Sequence, residues 1–320
     1  MLIRILFILI ILCIFYTRAA LLNRGMQLWL YHWKNMGTMI LSKPMNRHMP
    51  MAKFTDLYID TVANTPQRIA IDLTEQDQAA QWHIHLANNA QAVVLYDQTA
   101  GSNVALDEHV QVSLGENATL CLLIQHALQP CSTINQTMSV TMGADSHLTS
   151  GIITQGGKHV DYSATATFDS TGAHADFFGV SKITDKNSVN FNIHANHSTP
   201  NSSSNQTFRS IVYDTAISNH NSRVTVGRAA KGTLTHQLSQ HILLSKRASG
   251  NAKPELDILT DDVQCNHGAT IGQLSDEARF YLQARGLSKT EAEALLLNAF
   301  LQDSLDQMAP EPIRQWLKPI

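Results

Sequence analysis

The chain has 320 residues, enough for one large domain or two smaller ones around a sizeable core. Its formal net charge is −3 and only 15% of residues are charged, so a nucleic-acid partner has no electrostatic support; the basic stretches around Arg24, Lys246 and Arg314 are short and scattered. The four cysteines, Cys13, Cys121, Cys131 and Cys265, contain no C-x-x-C pair, which leaves a zinc ribbon, a thioredoxin motif and a ferredoxin cluster unsupported. Four cysteines in so long a chain do not make a disulfide framework, and reduced thiols in a cytosol fit best. Histidine is unusually frequent, with fifteen copies, most of them in polar, turn-rich sequence.

Residues 1–50 read as an apolar, irregular extension. Ile5 to Tyr16 is an unbroken apolar run between Arg4 and Arg18, shorter than the roughly 20 residues of a membrane-spanning helix. It is closer to a signal-peptide core, but Thr17-Arg18-Ala19 puts a charge where a cleavage site wants small residues. Residues 21–50 add Trp29, Trp33 and several methionines without a clear period, and the text changes character at Met51. A signal or anchor, an interfacial helix and a start codon assigned too far upstream all compete, and the last is favoured. Residues 51–81 are expected to be a short helical lead-in.

From Trp82 to Gly272 the expectation is a strand-built core. Trp82-His-Ile-His-Leu-Ala, Gln91-Ala-Val-Val-Leu-Tyr, Ala118-Thr-Leu-Cys-Leu-Leu-Ile, Thr137-Met-Ser-Val-Thr-Met, Val189-Asn-Phe-Asn-Ile-His and Arg223-Val-Thr-Val-Gly alternate like half-buried strands. Clusters of Gly, Asn, Asp and Ser punctuate them. Three turn-then-strand phrases open at Gly115, Gly143 and Gly172, 28 and then 29 residues apart, which suggests a β-solenoid; a β-sandwich also gives short strands and turns. Pro200-Asn-Ser-Ser-Ser-Asn-Gln reads as an exposed loop. His83 with His85, and His194 with His197, are weak candidate metal pairs, more readily explained as surface histidines. Gly227-Arg-Ala-Ala-Lys-Gly-Thr lacks the order of a phosphate-binding loop, so the chain is not expected to bind a nucleotide.

Residues 273–320 read as a helical segment. Ser275-Asp-Glu-Ala opens a helix that Arg285-Gly286 stops, and Ser288-Lys-Thr-Glu is a capping box for a second. Ala292, Leu295, Leu296, Ala299 and Phe300 make an apolar stripe on the second helix. Phe280, Tyr281, Leu295, Leu296 and Phe300 are the candidate partner-binding residues. Pro310 and Pro312 end the segment.

The sharpest chemical string is Asp261-Asp-Val-Gln-Cys-Asn-His-Gly-Ala-Thr-Ile-Gly272, at the change from strands to helices. On a strand Val263, Cys265 and His267 share a face. A thiol and an imidazole side by side can ligate a metal or act as a nucleophile pair. They can equally be a small core residue and a turn residue.

Lys253-Pro-Glu-Leu-Asp-Ile, then Asp262-Val-Gln-Cys-Asn-His-Gly-Ala-Thr-Ile-Gly, then Phe280-Tyr-Leu-Gln-Ala-Arg-Gly-Leu, then Ala292 to Phe300, resemble in order and spacing the C-terminal core of the SufB/SufD family. The Cys-x-His-Gly-Ala-Thr form resembles the SufD branch. Looser similarity at Ser204-Asn-Gln-Thr-Phe-Arg-Ser-Ile-Val and His241-Ile-Leu-Leu-Ser-Lys-Arg-Ala extends the resemblance over roughly residues 85–305. It implies a right-handed parallel β-helix with a helical C-terminal segment, in a non-catalytic scaffold subunit for iron–sulfur cluster assembly in the cytoplasm. It further implies pairing with a SufB-like subunit, docking of a SufC-like ATPase on the helices, and a transient iron–sulfur cluster near the subunit interface. The family's SufD histidine matches His267, and Cys265 lies in the same motif. Two departures stand out: the family's longer helical N-terminal region has little counterpart after Met51, and Tyr213 to Val224 replaces an aromatic-glycine turn with His220 and Asn221, so an irregular coil is expected there.

Two other functions compete. A secreted β-helix protein acting on carbohydrate would suit a real signal peptide, but it wants clustered carboxylates that the strands do not offer. A self-contained metalloenzyme built on Cys265 and His267 has too few ligands for a catalytic zinc.

Overall fold

The computed structural model describes residues 39–41, 53–59, 67–73, 78–101, 103–315 and 317. The apolar run from Ile5, the segment from 21 to 38 and the proposed start at Met51 lie outside the described residues. Among the described residues seventeen strands follow in order: β1 Met39–Leu41, β2 Lys53–Ile59, β3 Gln67–Leu73, β4 Gln78–Leu86, β5 Gln91–Ala100, β6 Ala105–Leu114, β7 Thr119–Leu128, β8 Thr133–Thr141 and β9 His147–Gly156. The series continues with β10 His159–Phe168, β11 His174–Ile183, β12 Ser188–His197, β13 Ser203–Val212, β14 Ile217–Val226, β15 Thr233–Leu243, β16 Ser249–Ile258 and β17 Val263–Gly272. Three helices close the chain: α1 Asp276–Ala284, α2 Lys289–Met308 and α3 Glu311–Arg314.

Every odd strand pairs in parallel with the next odd strand, and every even strand with the next even one. The result is a nine-stranded sheet ending at β17 and an eight-stranded sheet ending at β16. This is a parallel β-solenoid in which each coil contributes one strand to each sheet. Repetition of the coil follows from the turns. Asn89, Asn117 and Asp145 hold φ of 60°, 54° and 53° at one corner, a left-handed geometry that Asn and Asp tolerate. Asn117 Nδ2 donates to Asn89 Oδ1 of the coil beneath at 2.9 Å. Gly143 stacks so closely on Gly115 that a Cβ would lie 2.6 Å from its carbonyl carbon. The third copy slips: Gly172, with φ 73°, occupies the place of Asp145, because β9 and β11 align His147 with His174, 27 residues apart.

The interior is a single apolar column, built by alternation. In β10 Val160, Tyr162, Ala164, Ala166 and Phe168 point in, while His159, Asp161 and Ser163 point out. Strands β5, β7, β9 and β11 are buried on both faces along their middles, because α2 and the residues that follow it, Ala309 and Ile313 among them, cover the outer surface of the odd-strand sheet. Leu95, Leu123, Ile153, Phe178, Val180 and Ile211 form a second core there with Leu301, Met308, Ala309 and Ile313. Full burial of each such side chain contributes about 1.5–3 kcal/mol. Gly151 makes room for the helix, since a Cβ on it would sit 2.5 Å from Met308 Sδ.

The interior also carries polar groups with partners of their own. The buried Glu108 carboxylate accepts from Trp82 Nε1 at 2.6 Å, from Gln98 Nε2 at 3.1 Å, and from Tyr96 Oη and Gln136 Nε2. His197 stacks on Phe168 with centroids 4.1 Å apart, and His220 on His241 at 3.9 Å.

Several expectations need correction. The described parts of the helical lead-in, residues 53–59 and 67–73, are strands that extend both sheets. The stretch read as an exposed loop becomes β13 from Ser203, with Ser204 and Gln206 fully buried; polar residues occupy inward positions of a strand that pairs on both sides. In place of the irregular coil expected at 213–224, a short turn leads into β14, a ten-residue strand in unbroken register with β12, and His220 fills the interior where it stacks against other rings.

Candidate functional site

The last two strands end the solenoid. Among the described residues β16 and β17 are each paired on one side only, so their outer backbone groups form open edges. Val263 and Cys265 are half-buried and pack on the interior column. Cys265 is in register with Thr235, and His267 with Gln237, both of which are buried inside the preceding coil. Val263, Cys265 and His267 therefore share the inward face, as their spacing predicts. His267 is nonetheless exposed, because no further coil lies over it among the described residues. Asn266 points the other way, and its Oδ1 accepts from His236 Nδ1 on β15.

The rim around these two side chains is apolar. Leu256 packs on the interior column, while Ile258, Leu259 and Ile271 are exposed, Ile271 by 46%. A thiol and an imidazole on such a rim offer two donors, and among the described residues they belong to no group of three ligand side chains. A complete coordination sphere there needs donors from outside this chain. Sequence reasoning found Cys265 and His267 but not the rim, because Leu256, Ile258 and Ile271 read as ordinary strand residues until the sheet ends at them.

The helices carry the second candidate surface. Ser275 caps α1, accepting from Ala278 N, and Ser288 with Glu291 forms the expected capping box on α2. Arg279 joins the two helices, reaching Asp276 at 2.5 Å and Glu293 at 3.1 Å. The apolar stripe expected on α2 divides between two faces. Ala292 is buried and Phe300 lies against the second core, whereas Ala299 is exposed and Leu296 is half-buried. Three candidate partner residues stand out from the surface: Phe280 is 72% exposed, Tyr281 58% and Leu295 49%. A groove of about 620 Å³ lies between the helices and the ends of β11, β13 and β15, lined among others by Tyr213, Leu244, Lys246, Lys289 and Leu297.

The other candidates do not assemble. His83 and His85 share the outer face of β4, but His194 and His197 lie on opposite faces of β12, with His197 buried. Gly227 to Gly232 is a turn between β14 and β15, with a strand rather than a helix after it. The carbohydrate reading wants clustered carboxylates, yet Glu108 is buried inside the solenoid among hydrogen-bond donors, and Asp97, on the opposite face of β5 beside Leu95, is buried as well. No helix among the described residues is long and apolar enough to cross a membrane.

Comparison with known proteins agrees with this geometry. The profile described as SUF system FeS cluster assembly, SufBD core domain, matches residues 69–300, the solenoid and most of its helical end. An iron–sulfur cluster assembly SufBD family protein of Synechocystis is 30% identical over 236 residues, covering 69% of this chain and 51% of that protein. The iron–sulfur cluster assembly protein SufD of Escherichia coli is 33% identical over 112 residues, 35% of this chain and 26% of that protein. A SufBD family protein of Mycobacterium leprae is 24% identical over 263 residues, 79% of this chain and 67% of that protein. The chain thus spans about half, or less, of the length of several of the relatives it matches. With the fold, the terminal Cys-x-His strand and these matches together, the chain belongs to the SufB/SufD family of iron–sulfur cluster assembly proteins and is of the SufD type.

Proposed function

We propose that this protein is a non-catalytic scaffold subunit that pairs through the open end of its solenoid with a SufB-like subunit and docks a SufC-like ATPase on its helical segment. The observation that carries the reading is the unpaired, apolar end formed by β16 and β17 with Cys265 and His267 on its rim. An exposed strand edge beside apolar side chains is unfavourable in water and is relieved by a second chain. A partner laid on this end completes the ligand set that Cys265 and His267 begin, so a transient iron–sulfur cluster is assembled between subunits as cargo. His267 supplies the nitrogen donor and Cys265 a thiolate or a packed core sulfur.

The exposed Phe280, Tyr281 and Leu295, beside the groove under α2, support the ATPase dock. Leu296 and Phe300, also assigned to that dock, contribute by holding the helix in place. Hydrolysis belongs to the ATPase, and this chain binds no nucleotide itself. The cytoplasm is the compartment that supplies ATP and reduced thiols.

The test is association in solution. Mixed with SufB-like and SufC-like partners, the chain is expected to form one complex by light scattering. Ile271→Asp should release the SufB-like subunit while leaving the thermal midpoint unchanged. A chain that stays monomeric with both partners present overturns the reading.

A further inference from the structure

We propose that His147, His174 and Asp176 form a binding site for a divalent first-row transition-metal ion on the outer face of the odd-strand sheet. His147 opens β9 and His174 opens β11, in register with each other, and Asp176 is two residues further along β11 on the same face. The site is thus remote in sequence and in strand order from the terminal β17 that carries Cys265 and His267.

The donor atoms converge. Asp176 Oδ2 lies 2.9 Å from His174 Nε2 and 3.9 Å from His147 Nε2. One donor atom from each of the three residues lies within 4.8 Å of the others. Donors around a tetrahedral ion with bonds of about 2.0–2.1 Å are separated by roughly 3.3 Å, so small rotations of these side chains suffice. The two rings stack with centroids 4.5 Å apart.

A supporting shell fixes the donors. Asn205 Nδ2 donates to Asp176 Oδ1 at 2.6 Å, leaving Oδ2 to face the imidazoles. His174 Nδ1 sits 2.6 Å from Ser203 Oγ. The Ser203 hydroxyl can accept a hydrogen bond from Nδ1–H, the tautomer that leaves the Nε2 lone pair for a metal. Side-chain exposures of 44% for His147 and 18% for Asp176 leave an approach and open coordination positions for water.

The even-strand sheet contains a natural control. His159 and Asp161 on β10 repeat the His-x-Asp pattern, with His159 Nδ1 2.7 Å from Ser188 Oγ. There the preceding strand presents Thr133 in register instead of histidine, and Asn190 and Asn192 occupy both oxygens of Asp161. Among the described residues, β9 and β11 bring two imidazoles to one carboxylate oxygen that no asparagine occupies. Two nitrogens and one oxygen suit Zn²⁺, Co²⁺, Fe²⁺ or Ni²⁺ rather than Mg²⁺ or Ca²⁺. A bound ion would tie two successive coils together.

The experiment titrates the metal-free full chain with Co²⁺, reading its visible absorption, and with Zn²⁺ by calorimetry. One ion per chain is expected. His147→Asn and Asp176→Asn should each weaken binding by about tenfold or more, and His159→Asn should leave it unchanged. His147 is a half-exposed side chain, so its loss tests the site without unfolding the sheet. Absence of saturable Co²⁺ binding, or equal binding by His147→Asn and Asp176→Asn, overturns the proposal.

Discussion

Arg209 on β13 donates to the main-chain carbonyl of Phe300 on α2 at 2.8 Å, and its guanidinium carbon lies 5.5 Å from the centre of the Phe300 ring. The same side chain pairs with Asp303 at 2.6 Å and is hydrogen-bonded to Gln240 Oε1 at 3.0 Å. One largely covered arginine therefore locks the helical segment to the solenoid. Arg209→Met should cost about 1–3 kcal/mol, the range for breaking charge-assisted hydrogen bonds at a half-buried site. Amide exchange should accelerate through residues 289–308 and stay slow in β9 to β13. Unchanged exchange in α2 would show that the second core alone holds it.

The division of the α2 stripe separates docking from folding. Phe280→Glu and Leu295→Glu alter exposed positions and should abolish co-purification of a SufC-like ATPase without lowering the thermal midpoint. Leu301→Glu puts a charge into the second core and should lower the midpoint as well, because a buried unpaired charge costs several kcal/mol, on the order of 3–5. Full ATPase recovery with both exposed variants would move the dock elsewhere.

Four interior histidines make the solenoid acid-sensitive. Burial lowers the pKa of His126 to about 3 and those of His197 and His241 to about 4, and burial with the neighbouring His241 takes His220 well below its ordinary value. An unfolded histidine takes its proton near pH 6.5, so below that pH the unfolded chain binds more protons than the folded one. Their contribution is fully present above about pH 6.5 and is lost as the pH falls toward 4, by up to ~1.4 kcal/mol per histidine per pH unit. Both ring nitrogens of His126 lack a hydrogen-bond partner. His126→Leu should therefore stabilise the protein more at pH 5 than at pH 8, as read by urea unfolding at each pH. An equal effect at both pH values would contradict the assignment.

Glu108 acts with the opposite sign. Burial raises its carboxyl pKa against the hydrogen bonds from Tyr96, Gln136, Trp82 and Gln98 that favour the anion. Its contribution is full below the unfolded value near 4.5 and is lost as the pH rises through the folded one. Gln98 Oε1 and Gln136 Oε1 have no partner, so both amides can turn over to meet the amide of a Glu108→Gln variant. That variant should unfold with less loss of stability on raising the pH from 4.5 to 8. Glu108→Ala should be destabilised by about 3 kcal/mol or more, since it strands several buried donors. Wild-type behaviour from Glu108→Ala would remove the network from the account.

The strands and helix caps were legible because their signals are local. Val160, Tyr162 and Ala164 alternate with polar neighbours, and Ser288 with Glu291 spells its own cap. The Cys265 and His267 face was legible for the same reason. What sequence could not give depends on stacking between coils. Ser204, Gln206 and His220 look like loop or surface residues, yet they lie inside because adjacent coils supply rings and hydroxyls at contact distance, as Ser210 Oγ does for His220 Nε2 at 2.8 Å. The stripe on α2 was visible, but which of its residues face the sheet depends on the tie between Arg209 and Phe300. His147 and His174 are 27 residues apart, and only the slipped register of β9 against β11 brings them together.

Cluster yield on the assembled complex tests the central claim most directly. Complexes of this chain with SufB-like and SufC-like partners would be reconstituted anaerobically with iron and sulfide, then assayed for bound iron, sulfide and visible absorbance. His267→Ala removes an exposed imidazole at the solenoid end, so fold and subunit association should persist while cluster content falls sharply; Cys265→Ser should be milder if its main role is packing. A well-folded, fully associated His267→Ala complex that carries a normal cluster would contradict the account.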